Sequence, residues 1–283
     1  MKHILLNLKR FDVPSELGGV NRLAPVTDWA GEIVRKTQDE LGGYDPKEVE
    51  FIDFMPEAHI QNAVKALCEG SALQIGSQGI FRSDVTPGGN FGAFTTNLPA
   101  AAVKALGAKA ALIGHCEERN DKKEILAAAG VTGNAAADVV NKLLNEEILR
   151  AQARGLKVVY CIGETSEEQE RWQEVLGAQL DKGLAGADKK SIVIAYEPVW
   201  SIGPGKTPAG KDYITMIARF VKERTGGIDV VYGGGLKKDN AAMLASIPEI
   251  DGGLIALTRF QGEIGFYPDE YLEIIRIYLN AAV

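Results

Sequence analysis

Four side chains in this chain are of types that can move a proton or face a developing oxyanion: Asn7, Lys9, His115 and Glu197. Glu197 has the most telling setting. It follows the apolar run Ile192, Val193, Ile194, Ala195 and Tyr196, and it precedes Pro198, Val199, Trp200 and the turn Gly203, Pro204 and Gly205. A continuous apolar run suits a strand buried on both faces, as in a parallel sheet. A rigid strand end can aim a carboxylate, and a segment bounded by Pro and Gly can close over it as a unit. Such a carboxylate can serve as a general base, with imidazole and ammonium donors stabilising the oxyanion that its action creates. Asn7 and Lys9 end another apolar run, and strand alternation puts both on one face. His115 and Glu117 close a third run, and Glu164 closes a fourth. Taken singly, these residues have plain explanations: a solvated lysine, a core histidine, surface glutamates. Their shared position after apolar runs makes them a candidate site. Cys161, at the end of an apolar run, reads as core packing.

Eight alternating strand and helix units are available to position them. Strands are expected at 3–8, 49–55, 73–76, 110–113, 157–162, 192–196, 229–232 and 253–256. Helices are expected from about Thr27, as N-cap, to Leu41, then at 58–68, 100–106, 137–154, 167–184, 213–224, 240–245 and 268–280. Alternation of this kind implies a parallel sheet, and eight units close a (β/α)8 barrel, here a single domain over residues 1–283. In that architecture the carboxyl ends of the strands form the active face, which is where every candidate residue falls.

Composition narrows the function classes. Hydrophobic residues make up 46% and charged residues 24%, as in ordinary globular proteins. The net charge of −7 leaves no basic footprint for nucleic acid, so an anionic substrate would need positive potential built locally. Cys68, Cys116 and Cys161 are odd in number and widely spaced, which suggests neither a disulfide framework nor a zinc site. A reducing compartment fits, and the first residues, MKHILLNLKRFD, make no signal peptide, so a cytoplasmic location is expected. Gly205-Lys206-Thr207 looks like the end of a P-loop, but the glycine required five residues earlier is Trp200.

The segment AYEPVWSIGPGKT resembles the base-and-lid segment of the triosephosphate isomerase family, typically AYEPVWAIGTGKT. NLK matches that family's N-x-K, GHCEER is similar to its GHSERR, CIGET matches outright, and VVYGGG and IDGGLIA resemble YGGS and DGFLVG. The resemblance implies aldose–ketose isomerisation of dihydroxyacetone phosphate and glyceraldehyde 3-phosphate, without metal or organic cofactor, in glycolysis and gluconeogenesis. It puts Glu197 on the general base, His115 on a neutral electrophile, and Asn7 and Lys9 on the substrate-contacting pair. Glu117 falls on the acid that pairs with the lysine, and Glu164 and Trp200 on supporting positions. A homodimer is implied too, with the loop after strand three, residues 79–94, reaching into the neighbouring subunit.

Departures concentrate at the phosphate end. The family serine after strand seven is Gly235, and its two phosphate-binding glycines align with Ala256 and Leu257. Gly203 in the lid keeps one backbone donor. Arg259 is the candidate replacement cation, since arginine can grip phosphate with two donors; the alternative is a surface ion pair with an acid such as Glu263. Glu118 stands where the family has arginine, and Asn97 where it has an acid. Two other functions stay open: an isomerase of another short sugar phosphate, such as a tetrulose phosphate, and a catalytically inactive sugar-phosphate-binding homologue.

Overall fold

Alternation within each strand decides which side chains fill the barrel and which meet the surrounding helices. The computed structural model describes residues 1–202 and 206–282. Eight parallel strands close in chain order: β1 (Lys2–Asn7), β2 (Val49–Met55), β3 (Leu73–Ser77), β4 (Ala110–Ile113), β5 (Lys157–Ile162), β6 (Ile192–Tyr196), β7 (Val230–Tyr232) and β8 (Gly252–Ile255). β1 pairs with both β2 and β8, so the sheet has no edge. Around it lie α1 (Trp29–Leu41), α2 (Glu57–Ala66), α3 (Ala100–Ala105), α4 (Cys116–Ala128), α5 (Gly133–Ala153), α6 (Trp172–Gly183), α7 (Lys211–Thr225), α8 (Ala241–Ala245) and α9 (Pro268–Ala281).

Two apolar cores follow from the period of two. Leu5, Phe54, Leu112, Val159, Val193 and Ala195 belong to a small cluster inside the barrel. Their neighbours, such as Ile4, Leu6, Ile194 and Tyr196, join the larger layer between strands and helices. The parity carries straight into the site. Leu5 faces inward, so Asn7 continues the inner face; Val193 and Ala195 face inward, so Glu197 does too.

Some boundaries differ from expectation. α1 starts at Trp29 behind Asp28, and no side chain caps it, so Thr27 is not its cap. β8 ends at Ile255, which leaves Ala256 just beyond the strand. A six-residue 3-10 turn, Ser166–Arg171, precedes α6 and is fixed by the reciprocal bonds of Thr165 and Glu168. The helix α4 has no counterpart in the sequence-based expectation. Its residues, CEERNDKKEILAA, carry no apolar stripe, and Arg119 is the one residue it buries.

Candidate active site

β1 delivers two of the four residues. Asn7 is buried and accepts at Oδ1 from the Lys9 N–H at 3.1 Å. Lys9 adopts φ +39°, a region that non-glycine residues enter only when their surroundings hold them. Gln78 supplies that hold: its Nε2 donates to the carbonyls of Lys9 at 3.0 Å and Phe54 at 3.2 Å. Lys9 Nζ then meets Glu117 Oε1 at 2.5 Å. Burial pushes the Glu117 carboxyl up, but its bond to Lys9 wins and holds it below the ordinary range.

His115 comes from the turn after β4, where it is the N-cap of α4. Its Nδ1 accepts from the Glu117 N–H at 3.3 Å. A ring nitrogen that accepts carries no proton, so the proton of the uncharged ring sits on Nε2. Nε2 lies 3.1 Å from Glu197 Oε1. Two residues without an expected role lock this turn. Glu118 accepts the Gly114 N–H at 2.6 Å, so the family's arginine position is here a carboxylate that holds the strand end. Arg119, buried, donates to the carbonyls of Gly114 at 2.8 Å and Cys161 at 3.0 Å, tying β4 to β5.

Glu197 follows β6 and is only 2% exposed. Its Oε2 accepts from the Cys116 N–H, at the start of α4, at 2.9 Å. Among the described residues its Oε1 makes no hydrogen bond: the imidazole is near but not aligned with it. Burial raises the Glu197 carboxyl above the ordinary range, against the opposing pull of His115, the Cys116 N–H and Lys9. A carboxylate desolvated in this way is a stronger base than one in water. Gly233 explains how the base fits. A Cβ there would stand 2.8 Å from Glu197 Cγ and 2.9 Å from the Tyr196 carbonyl oxygen.

Glu164 works one layer behind. It is fully buried, and its Oε1 accepts from the Tyr196 hydroxyl at 2.8 Å, Trp200 Nε1 at 2.8 Å and the Tyr213 hydroxyl at 3.0 Å. Burial raises its carboxyl despite these three donors. The bonds fasten the turn Val199–Ser201, just after the base, to the end of β5 and to α7. Tyr196 and Tyr213 were not expected to take part. Their signal is an aromatic at a strand end and another two residues into a helix, which sequence alone does not separate from core packing.

The phosphate-end residues are less concentrated. Gly203 lies outside the described residues. Gly235 follows β7 with φ +97°, and Ala256 and Leu257 are half-buried just after β8. Arg259 does form an ion pair, but with Glu270 in the first turn of α9 rather than with Glu263: Nε and Nη2 reach Glu270 Oε1 at 2.8 Å and 2.5 Å. Its guanidinium also stacks 3.7 Å from the centre of the Tyr267 ring.

His115, Cys116 and Glu197 bring an imidazole, a thiol and a carboxylate within 4.8 Å of one another, a set that a soft divalent cation could use. Burial and the Glu197 charge push the Cys116 thiol up to about 12, which works against a thiolate ligand. The arrangement is better suited to acid–base work: a desolvated carboxylate with one unbonded oxygen, an Nε2–H beside it, and an ammonium on a strained backbone across the same barrel mouth.

Fold and mouth together define a (β/α)8-barrel enzyme equipped for proton transfer beside an oxyanion. A family model described as triosephosphate isomerase matches residues 27–276. The triosephosphate isomerase of Pseudoalteromonas translucida is 31% identical over 237 residues, covering 79% of this chain and 84% of that protein. That of Oleidesulfovibrio alaskensis is 30% identical over 275 residues, covering 93% and 96%. Among solved structures, triosephosphate isomerase from Bartonella henselae superposes with a TM-score of 0.69 at 23% identity, covering 98% of this chain and 99% of that one, a likeness of fold. This chain belongs to the triosephosphate isomerase family.

Proposed function

We propose that this enzyme interconverts dihydroxyacetone phosphate and glyceraldehyde 3-phosphate through an enediolate. The observation that carries the reading is Glu197 Oε1: buried, without a hydrogen bond among the described residues, and 3.1 Å from His115 Nε2. Glu197 takes a proton from the hydroxyl-bearing carbon next to the carbonyl. The C–H electrons form the carbon–carbon double bond, and the carbonyl electrons move onto oxygen. His115 Nε2–H and the Lys9 ammonium face that oxyanion, and Asn7 keeps the substrate in register. The hydroxyl proton on the neighbouring oxygen passes to the oxyanion by way of His115 Nε2, Glu197 returns its proton to the carbon that bore the carbonyl, and the electrons released on the neighbouring oxygen form the new carbonyl there. Glu117 orients Lys9, while Glu164 and Trp200 anchor the start of the closing segment, which carries Gly203. The phosphate binds between the turns at Gly235 and at Ala256 and Leu257. Arg259, the sequence candidate for the grip, pairs with Glu270.

The chain acts as one domain, as a homodimer, in the cytoplasm. Three free cysteines suit a reducing compartment, and among the described residues no helix is long and apolar enough to cross a membrane. A coupled turnover assay with triose phosphates, repeated with four- and five-carbon ketose phosphates, tests the assignment. Triose phosphates should be converted with the highest kcat/KM. Preference for a longer sugar, or absence of turnover with any, would replace this reading with one of its two alternatives.

A further inference from the structure

We infer that Lys237 is the cation of the phosphate site, adding a charge beside the turns at Gly235, Ala256 and Leu257, where the family's serine hydroxyl is missing. The inference deepens the isomerase reading and rests on it for the identity of the anion. Lys237 lies two residues beyond Gly235, in the turn after β7. Its side chain folds back over that glycine: a Cβ built on Gly235 would meet Lys237 Cε at 3.2 Å. The lysine thus occupies space that a serine at 235 would contest, and Gly235, at φ +97°, has a backbone that disfavours any side chain.

Nζ, one bond beyond that Cε, turns toward the segment after β8. Nζ rests 4.2 Å from the centre of the Phe260 ring, which belongs to the segment after β8. That segment doubles back as a hairpin, with Arg259 bridged to Gly265, and Glu270 of α9 clamps it through Thr258 Oγ1 at 2.9 Å and Arg259. The Lys237 ammonium therefore spans the turns after β7 and β8. Asn240 fixes its root, accepting from the Lys237 N–H at 2.8 Å and donating to the Gly235 carbonyl at 2.9 Å.

What holds the ammonium is an aromatic face, not an acid. Among the described residues no carboxylate oxygen comes within 4.0 Å of Lys237 Nζ, whereas Lys238 pairs with Glu273, Lys9 with Glu117 and Arg259 with Glu270. Asp239 is the acid whose field reaches it. Half-burial lowers the Lys237 pKa below the ordinary lysine range, since a desolvated ammonium is costly. An arriving dianion supplies the missing countercharge, and in a protein of net charge −7 the positive potential for it must be built locally.

The test has two readouts on the intact enzyme. Lys237→Met keeps length and contact with Phe260 but removes the charge. Inorganic phosphate affinity, measured by calorimetry without turnover, should fall roughly 10- to 100-fold, the scale of a hydrogen bond to a charged group. KM for triose phosphate should rise by a similar factor, with kcat changed far less. Lys237→Arg should restore most of the affinity. Lys238→Met, at the exposed neighbour paired with Glu273, should change neither readout. Unaltered phosphate affinity in Lys237→Met would overturn the inference, whether or not the enzyme turns over triose phosphates. Equal losses in Lys237→Met and Lys238→Met would also overturn it, by showing a diffuse charge effect. Lost phosphate affinity in Lys237→Met, in a protein without isomerase activity, would uphold the anion site and remove the isomerase reading alone.

Discussion

Glu197 shows how much of a catalytic group is made by its immediate neighbours. Its Oε2 is bonded by the Cys116 N–H, and its Oε1 is left bare in a dry environment, so one oxygen fixes the side chain and the other is free to react. Glu197→Gln preserves the shape and removes the basicity. Its kcat should fall at least about 100-fold, the lower range for a positioned base, while KM changes little. Near-normal turnover in steady-state kinetics would remove Glu197 from the role. Gly233 tests the positioning separately. Gly233→Ala drives a methyl into Glu197 Cγ, at 2.8 Å, without touching the chemistry of the carboxylate. A displacement below one ångström should cost roughly 10- to 100-fold in kcat. The far-UV circular dichroism should stay as in the parent, and an unchanged kcat would mean that the base tolerates being moved.

At the scale of the element, strand parity and helix ends divide the work. The inner face of β1 and β6 aims Asn7 and Glu197, and the first turn of α4 supplies both the His115 cap and the N–H on Glu197. The outer face of β2 carries a different feature. Asp53 alternates with the inward Ile52 and Phe54 and faces α9, where Tyr271 donates to its Oδ1 at 3.2 Å and its Oδ2 has no partner among the described residues. Burial raises this carboxyl to about 7, against the small opposing effect of Tyr271. Below the ordinary value of 3.8 both folded and unfolded chains hold the proton. Between there and about 7 only the folded chain does, so stability falls as pH rises through that window and levels off above it. Asp53→Asn cannot titrate. Its stability relative to the parent should therefore improve between pH 5 and pH 8 in urea melts, by up to about 3 kcal/mol at roughly 1.4 kcal/mol per pKa unit. The same difference at both pH values would show that Asp53 does not hold its proton in the folded state.

At the scale of the whole molecule, the most exposed large apolar side chain among the described residues sits in one loop. In the segment between β3 and α3, Phe91 is 84% exposed at φ +53°. The base of that segment is secured on its own barrel: Asp84 pairs with Arg154, Arg154 Nη2 donates to the Val85 carbonyl at 2.6 Å, and the Phe81 and Phe94 rings meet edge-to-face with centres 5.6 Å apart. A tethered loop presenting an aromatic tip suits insertion into a second copy, which is the basis of the proposed homodimer. Burying each phenylalanine should contribute about 1.5–3 kcal/mol. Phe91→Asp should shift sedimentation from dimer toward monomer at micromolar protein and lower specific activity on dilution. A parent protein that sediments as a fully active monomer at assay concentration would rule the dimer out.

Sequence alone determined the barrel, because eight apolar runs alternating with helical stretches leave few other ways to bury them. It also determined Glu197, His115, Asn7 and Lys9 as site candidates, because strand period and strand ends are local properties that residue order records. What tertiary structure decided were the contacts made across the chain. α4 has no apolar stripe, and its register is set by Arg119 reaching the carbonyls of Gly114 and Cys161. Glu164 gains its role from three aromatic donors, at 196, 200 and 213, that lie far from it along the chain. Arg259 and Lys237 are both cations near a departed phosphate motif. Only folding brings Glu270 to the one and an aromatic face with no acid to the other, and charge compensation depends on distance in space, not on separation in sequence.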